Sequence, residues 1–76
     1  MNTALSKMSQ GSSGKIVSIS CSNELKQRLS SLGFTRGAKV TVSHSTLLND
    51  PRTYTIRGSE VCLRNREADA ILVEFE

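Results

Sequence analysis

Most of the chain alternates between apolar and polar positions. In residues 14–21, "GKIVSISC", Val17, Ile19 and Cys21 alternate with Ser18 and Ser20. A period of two is a strand with one face inward. Ile16 stands out of phase and is expected at an edge or over a secondary cluster. The period then changes: Leu25, Leu29 and Leu32 fall at i, i+4 and i+7, the apolar stripe of a helix. Lys26, Gln27, Arg28 and Ser30 fill its other faces. Ser22 or Asn23 is placed to cap it, with Glu24 in the first turn, where the dipole favours a carboxylate. Gly33 is placed to end the helix and fold Phe34 back onto Leu29, as in a Schellman cap.

Gly37 suits the third position of a type II turn. Val40 and Val42 then alternate with Lys39, Thr41 and Ser43, a second strand with His44 in phase at its inner rim. "STLLNDP", residues 45–51, is a loop ending in an Asp-Pro turn signal. "RTYTIRGSEVCLR", residues 52–64, predicts a hairpin with Gly58-Ser59 as a two-residue turn. That register sets Arg57 opposite Glu60, Ile56 opposite Val61, Thr55 opposite Cys62 and Tyr54 opposite Leu63. Cys62 then lies on the polar face. Asn65 caps a final helix over residues 66–72, with Ala68, Ile71 and Leu72 inward, and Val73 and Phe75 point inward from a last strand. Residues 1–13 show no sustained period and are expected to be a flexible N-terminal tail ahead of a domain at 14–76. The sum is a mainly β fold, a small five-stranded barrel with two short helices, since closure removes exposed edges.

Size narrows the function. A chain of 76 residues is one domain with a small core. It has little room to enclose a substrate and exclude water, so a binding or regulatory module is expected, not an enzyme. No acid–base partner set accompanies the serines. "QGSSGK" lacks the end and spacing of a phosphate loop and precedes a strand. The net charge is +3, spread along the chain, and the three aromatics Phe34, Tyr54 and Phe75 all sit in apolar patterns. A nucleic-acid binder concentrates charge and exposes aromatics, so none is expected as partner. Lys26, Arg28, Lys39, Arg52, Arg57, Arg64 and Arg66 read as a solvated outer face. No apolar run approaches the roughly 20 residues of a membrane span, and the N-terminus lacks a secretory core. A cytoplasmic location follows as an expectation. Cys21 and Cys62 are far apart and read as reduced thiols.

Two candidate features remain. His44, Cys21, Cys62, Asp50 and Glu60 contain metal-ligand types but are scattered over strand, loop and hairpin, so no metal and no cofactor is expected. Leu47 and Leu48 are adjacent leucines in a turn-bounded loop. Either they form an apolar handle for a partner, or one folds back to plug the barrel end. Arg36 and Asp50 would rim such a handle. Phe34 could join the rim, though its cap geometry favours the core.

The residues resemble the FeoA family. The resemblance covers roughly residues 14–76 and rests on "LSSLGFTRGAKVTV", "LLNDP", "YTIRGSEVCLR" and "READAILVEF". Its most specific pieces are Leu32-Gly33-Phe34 with Gly37, and Leu63-Arg64 with Glu67-Ala68. Two positions depart from the family pattern: Arg36 stands where proline is usual, and Asn49 where the loop often has glycine. The resemblance implies an SH3-like barrel without catalytic residues. It implies a cytoplasmic accessory to ferrous iron uptake, bound to the cytosolic part of a FeoB-type membrane transporter and touching the membrane only through it. Weak homo-oligomers through sheet edges are compatible with this. The alternatives are a small basic barrel that binds nucleic acid, or an iron-sensing module like that of iron-dependent repressors.

Overall fold

The computed structural model describes residues 2–45 and 51–75, with residues 44, 45 and 75 by backbone alone. The alternating segments form one antiparallel sheet of six strands. They are β1 (Asn2–Ala4), β2 (Ser13–Ile19), β3 (Lys39–Ser45), β4 (Arg52–Ile56), β5 (Ser59–Leu63) and β6 (Ile71–Phe75). A 3-10 turn (Leu5–Lys7) and the helices α1 (Asn23–Ser31) and α2 (Asn65–Ala68) interrupt them. The strand order is β1-β6-β2-β3-β4-β5.

The expected five-stranded barrel is corrected on both counts. Among the described residues there are six strands and the sheet is not closed: β1 and β5 end the order, and no ladder joins them. The extra strand comes from the segment expected to be a flexible tail. Asn2, Thr3 and Ala4 pair with Glu74, Val73 and Leu72. Leu5 and Met8 then enter the core, 0% and 2% exposed. They are three residues apart, the spacing that puts side chains on one side of a tight turn. Hydrogen bonds tie the 3-10 turn after β1 to β4 and to the residue that follows α2. Arg52 of β4 donates from Nη1 to the Ser6 carbonyl at 2.9 Å, and Ser6 Oγ donates to the Asp69 carboxylate beyond α2. Arg52, expected on the solvated face, is only 7% exposed, because it shares the inward face of β4 with Tyr54 and Ile56.

Local punctuation follows the sequence closely around α1. Ser22 Oγ accepts from the Leu25 amide at 3.3 Å. At the other end, the Phe34 amide donates to Leu29 O at 2.9 Å and the Gly33 amide to Ser30 O at 3.0 Å. These are the two bonds of a Schellman cap, and Gly33 takes the positive φ of 106° that it requires. The chain then turns at Gly37, where the Ala38 amide donates to Thr35 O at 3.0 Å. The Gly37 amide donates in turn to Ile16 O at 2.8 Å, which fastens this turn to β2.

Elsewhere the phase differs from expectation. In β2 the core residue is Ile16, and a bulge at Val17 shifts the ladder with β6 between Ile16 and Ser18. Val17 and Ile19 are half-buried, and Ile19 packs against the core. In β3 a shift between Val42 and His44 sets His44 opposite Thr53, so the alternation of the valines does not carry through. The β4–β5 turn is Arg57-Gly58, both at positive φ (50° and 81°), as a type I′ turn requires. The register therefore moves by two: Tyr54 faces Val61, Thr55 faces Glu60 and Thr53 faces Cys62. An even shift preserves the faces, so Tyr54, Ile56 and Leu63 stay buried and Cys62 exposed. Finally, α2 ends at Ala68, and Ile71 and Leu72 belong to β6.

Candidate functional site

Of the five residues singled out in the sequence, Leu47, Leu48 and Asp50 lie outside the described residues. Phe34 is fully buried, drawn inward by the Schellman cap. Arg36 is exposed at the tip of the type II turn.

The structure does bring Phe34 and Arg36 to a common feature. A cleft of about 330 Å³ opens between β2, α1 and the segment joining α1 to β3. Val17 and Ile19 form an aliphatic floor, with Phe34 beneath it. Val17 stands where the β2–β6 ladder shifts register, one residue beyond the buried Ile16. Lys26 from α1 and Arg36 from the turn provide positive charge, and both are exposed. Ser18, Ser30 and Thr35 add hydroxyl side chains, and among the described residues the lining contains no carboxylate.

The rim is held from the hairpin. Arg57, in its positive-φ turn position, donates from Nη2 to Thr35 Oγ1 at 3.0 Å and from Nε to Gly33 O at 3.4 Å. A type I′ turn with arginine at its first position costs about 1–2 kcal/mol in backbone strain. The contacts to residues 33 and 35 are what that conformation makes possible. The ladder places Arg57 in the turn itself rather than opposite Glu60, as the sequence reading had it.

Chemically the cleft offers an apolar surface, hydroxyl donors and two cations. Among the described residues its lining has no imidazole or carboxylate to serve as a general base beside its serines. No group of three His, Cys, Asp or Glu side chains that could hold a metal ion occurs among the described residues. Cys21 is half-buried and Cys62 exposed, both as free thiols. The sequence named Arg36 but missed Val17 and Lys26 as neighbours. The adjacent Ile16 and Val17, two apolar residues where alternation wants one, were the visible sign of the bulge.

The model of the FeoA domain matches residues 3–75. Several solved structures resemble this one. A FeoA described as an iron uptake regulatory protein is 28% identical over 97% of this chain and 96% of its own, with a TM-score of 0.87. FeoA from Chlorobium tepidum is 30% identical over 96% of this chain and 70% of its own, with a TM-score of 0.90. A manganese-dependent transcriptional repressor, 20% identical, shares the fold over 99% of this chain and 42% of its own, with a TM-score of 0.89. No curated protein matches the sequence. Among the described residues no helix is long and apolar enough to cross a membrane.

Proposed function

Since the chain belongs to the FeoA family, we propose that it acts as a cytoplasmic adaptor of ferrous iron uptake, binding the cytosolic part of a FeoB-type membrane transporter and tuning its assembly or nucleotide turnover. The observation that carries this reading is the family match over residues 3–75, on a domain that presents a cleft with aliphatic lining and a charged rim. A domain this small contributes recognition through its surface, and its interior serves to hold that surface in shape.

The test is direct. Isotope-labelled protein is titrated with the soluble nucleotide-hydrolysing domain of a FeoB-type transporter, and amide resonances are followed. Localised shifts are expected. Absence of any shift up to about 1 mM, where even a complex worth about 4 kcal/mol would register, rejects the adaptor reading. The pair Leu47→Ser and Leu48→Ser tests the loop expectation in the same titration: weaker binding supports the handle, and unchanged binding removes it.

The likeness to manganese-dependent repressors supports a second reading, a regulatory module on nucleic acid. At 20% identity that likeness extends to the fold. Titration of labelled duplex DNA at two salt concentrations separates the readings, because phosphate contacts give a steep salt slope.

A further inference from the structure

We infer that the cleft between β2 and α1 is a docking groove for a short acidic segment of a partner protein. An aliphatic side chain of that segment sits on Val17 and Ile19, and its carboxylates meet Lys26 and Arg36. The existence of a protein partner rests on the adaptor reading; the chemistry of the segment rests on the cleft alone.

The volume sets the scale of the occupant. About 330 Å³ lies at the low end of the range for small-molecule sites. It suits one or two side chains and the backbone that carries them. The floor sets its polarity. Val17 and Ile19 are half-buried aliphatic residues, so covering what remains exposed removes apolar surface from water.

The rim sets the charge. Lys26 and Arg36 project from two different elements, and among the described residues the cleft lining holds no carboxylate to neutralise them. Arg57 adds a third cation behind Thr35, to which it is hydrogen-bonded. Along the same strand, Lys15 stands directly opposite Lys39 across the β2–β3 ladder, and both are exposed. Like charges in that position oppose each other, and a carboxylate of the protein itself offsets part of that repulsion. Glu74 faces Lys15 from the other side, in β6. Of the other carboxylates, Glu67 pairs with Arg28 and Asp69 accepts from Ser6.

A peptide suits this surface better than a nucleic acid. Single-stranded bases need exposed aromatic platforms, and Phe34 and Tyr54 are both fully buried. Ser18, Ser30 and Thr35 can instead satisfy peptide N–H and C=O groups.

The experiment uses the full chain and a blocked, fluorescein-labelled hexapeptide of alternating leucine and glutamate. The same peptide with glutamine for glutamate, the same with lysine, and an oligothymidylate serve as comparators. The acidic peptide is expected to bind, to shift the amides of Val17, Ile19 and Thr35, and to weaken as salt rises. Lys26→Glu and Arg36→Glu should each weaken it about two- to fivefold, and the double variant about tenfold or more. The double variant should also gain the lysine peptide. Both positions are exposed, and amide dispersion reports directly that the variants are folded. Equal binding of the glutamine peptide, an unaffected double variant, shifts mapping elsewhere, preference for the oligothymidylate, or no binding at all overturns the groove. The transporter-domain titration, repeated with the double variant, separates the two claims. Transporter binding without peptide binding sinks the groove alone. Peptide binding without transporter binding sinks the adaptor reading alone.

Discussion

Replacing Leu5 with alanine should destabilise the whole domain, although the residue lies in the opening stretch of the chain. Leu5 is 0% exposed and joins Ile16, Tyr54 and Ile71 in a single core. Truncation removes three carbon groups, worth about 2–2.5 kcal/mol in transfer from water. The cavity left behind raises the loss to about 3 kcal/mol, near the lower end of buried leucine-to-alanine changes. A domain of 76 residues has a total stability of about 4–11 kcal/mol, so the loss is a large share of it. At about 4–8 °C per kcal/mol for this size, Tm should fall by about 12–24 °C. The assay is thermal and urea denaturation of the wild type, Leu5→Ala and the exposed control Lys7→Ala. The control should stay within about 0.5 kcal/mol. A Tm fall below about 4 °C in Leu5→Ala, matching the control, would show that the first strand and turn are not part of the cooperative unit.

Other positions make independent predictions. A Cβ at Gly14 would lie 2.6 Å from the Glu74 carbonyl oxygen, so Gly14→Ala must push β2 and β6 apart; a loss of about 1–3 kcal/mol in urea melts is expected, with faster amide exchange in both strands. Arg52→Met keeps most of the buried volume and forfeits the bond to the Ser6 carbonyl, whereas Arg52→Ala also opens a cavity. Denaturation should therefore rank methionine as the more stable variant, by about 1–2 kcal/mol. Exposed Cys62 should react with iodoacetamide faster than half-buried Cys21, read by mass spectrometry of the alkylated peptides. Breaking the Arg28–Glu67 pair with Arg28→Gln should cost no more than about 1 kcal/mol, because Arg28 is 57% exposed.

Features governed by neighbours in sequence were legible before the structure. The helix from Asn23, its Ser22 cap, the Gly33 stop and the Gly37 turn each depend on a few adjacent residues. The hairpin was legible in its faces but not its register. Placing the turn at Arg57-Gly58 requires an arginine at positive φ, which local preference disfavours and which its reach to Thr35 accompanies. What escaped was decided at long range. Asn2–Ala4 is a strand because β6 offers an edge, some seventy residues away in the chain. Arg52 is buried because the phase of β4 and the Ser6 carbonyl hold it there, against the usual habit of arginine. The cleft followed the same division. Arg36 and Phe34 were conspicuous in the sequence, but their meeting with Val17 and Lys26 depends on a bulge and on where α1 lies beside β2.

The position of β6 has a consequence for biosynthesis. Among the described residues it follows the other five strands in sequence, yet in the sheet it lies between β1 and β2. Neither of those early strands meets its partner on that side until Ile71–Phe75 has left the ribosome. The nascent domain therefore waits, half assembled, for its final strand. Loss of those few residues by premature termination would remove the piece that both early strands need in order to join the sheet.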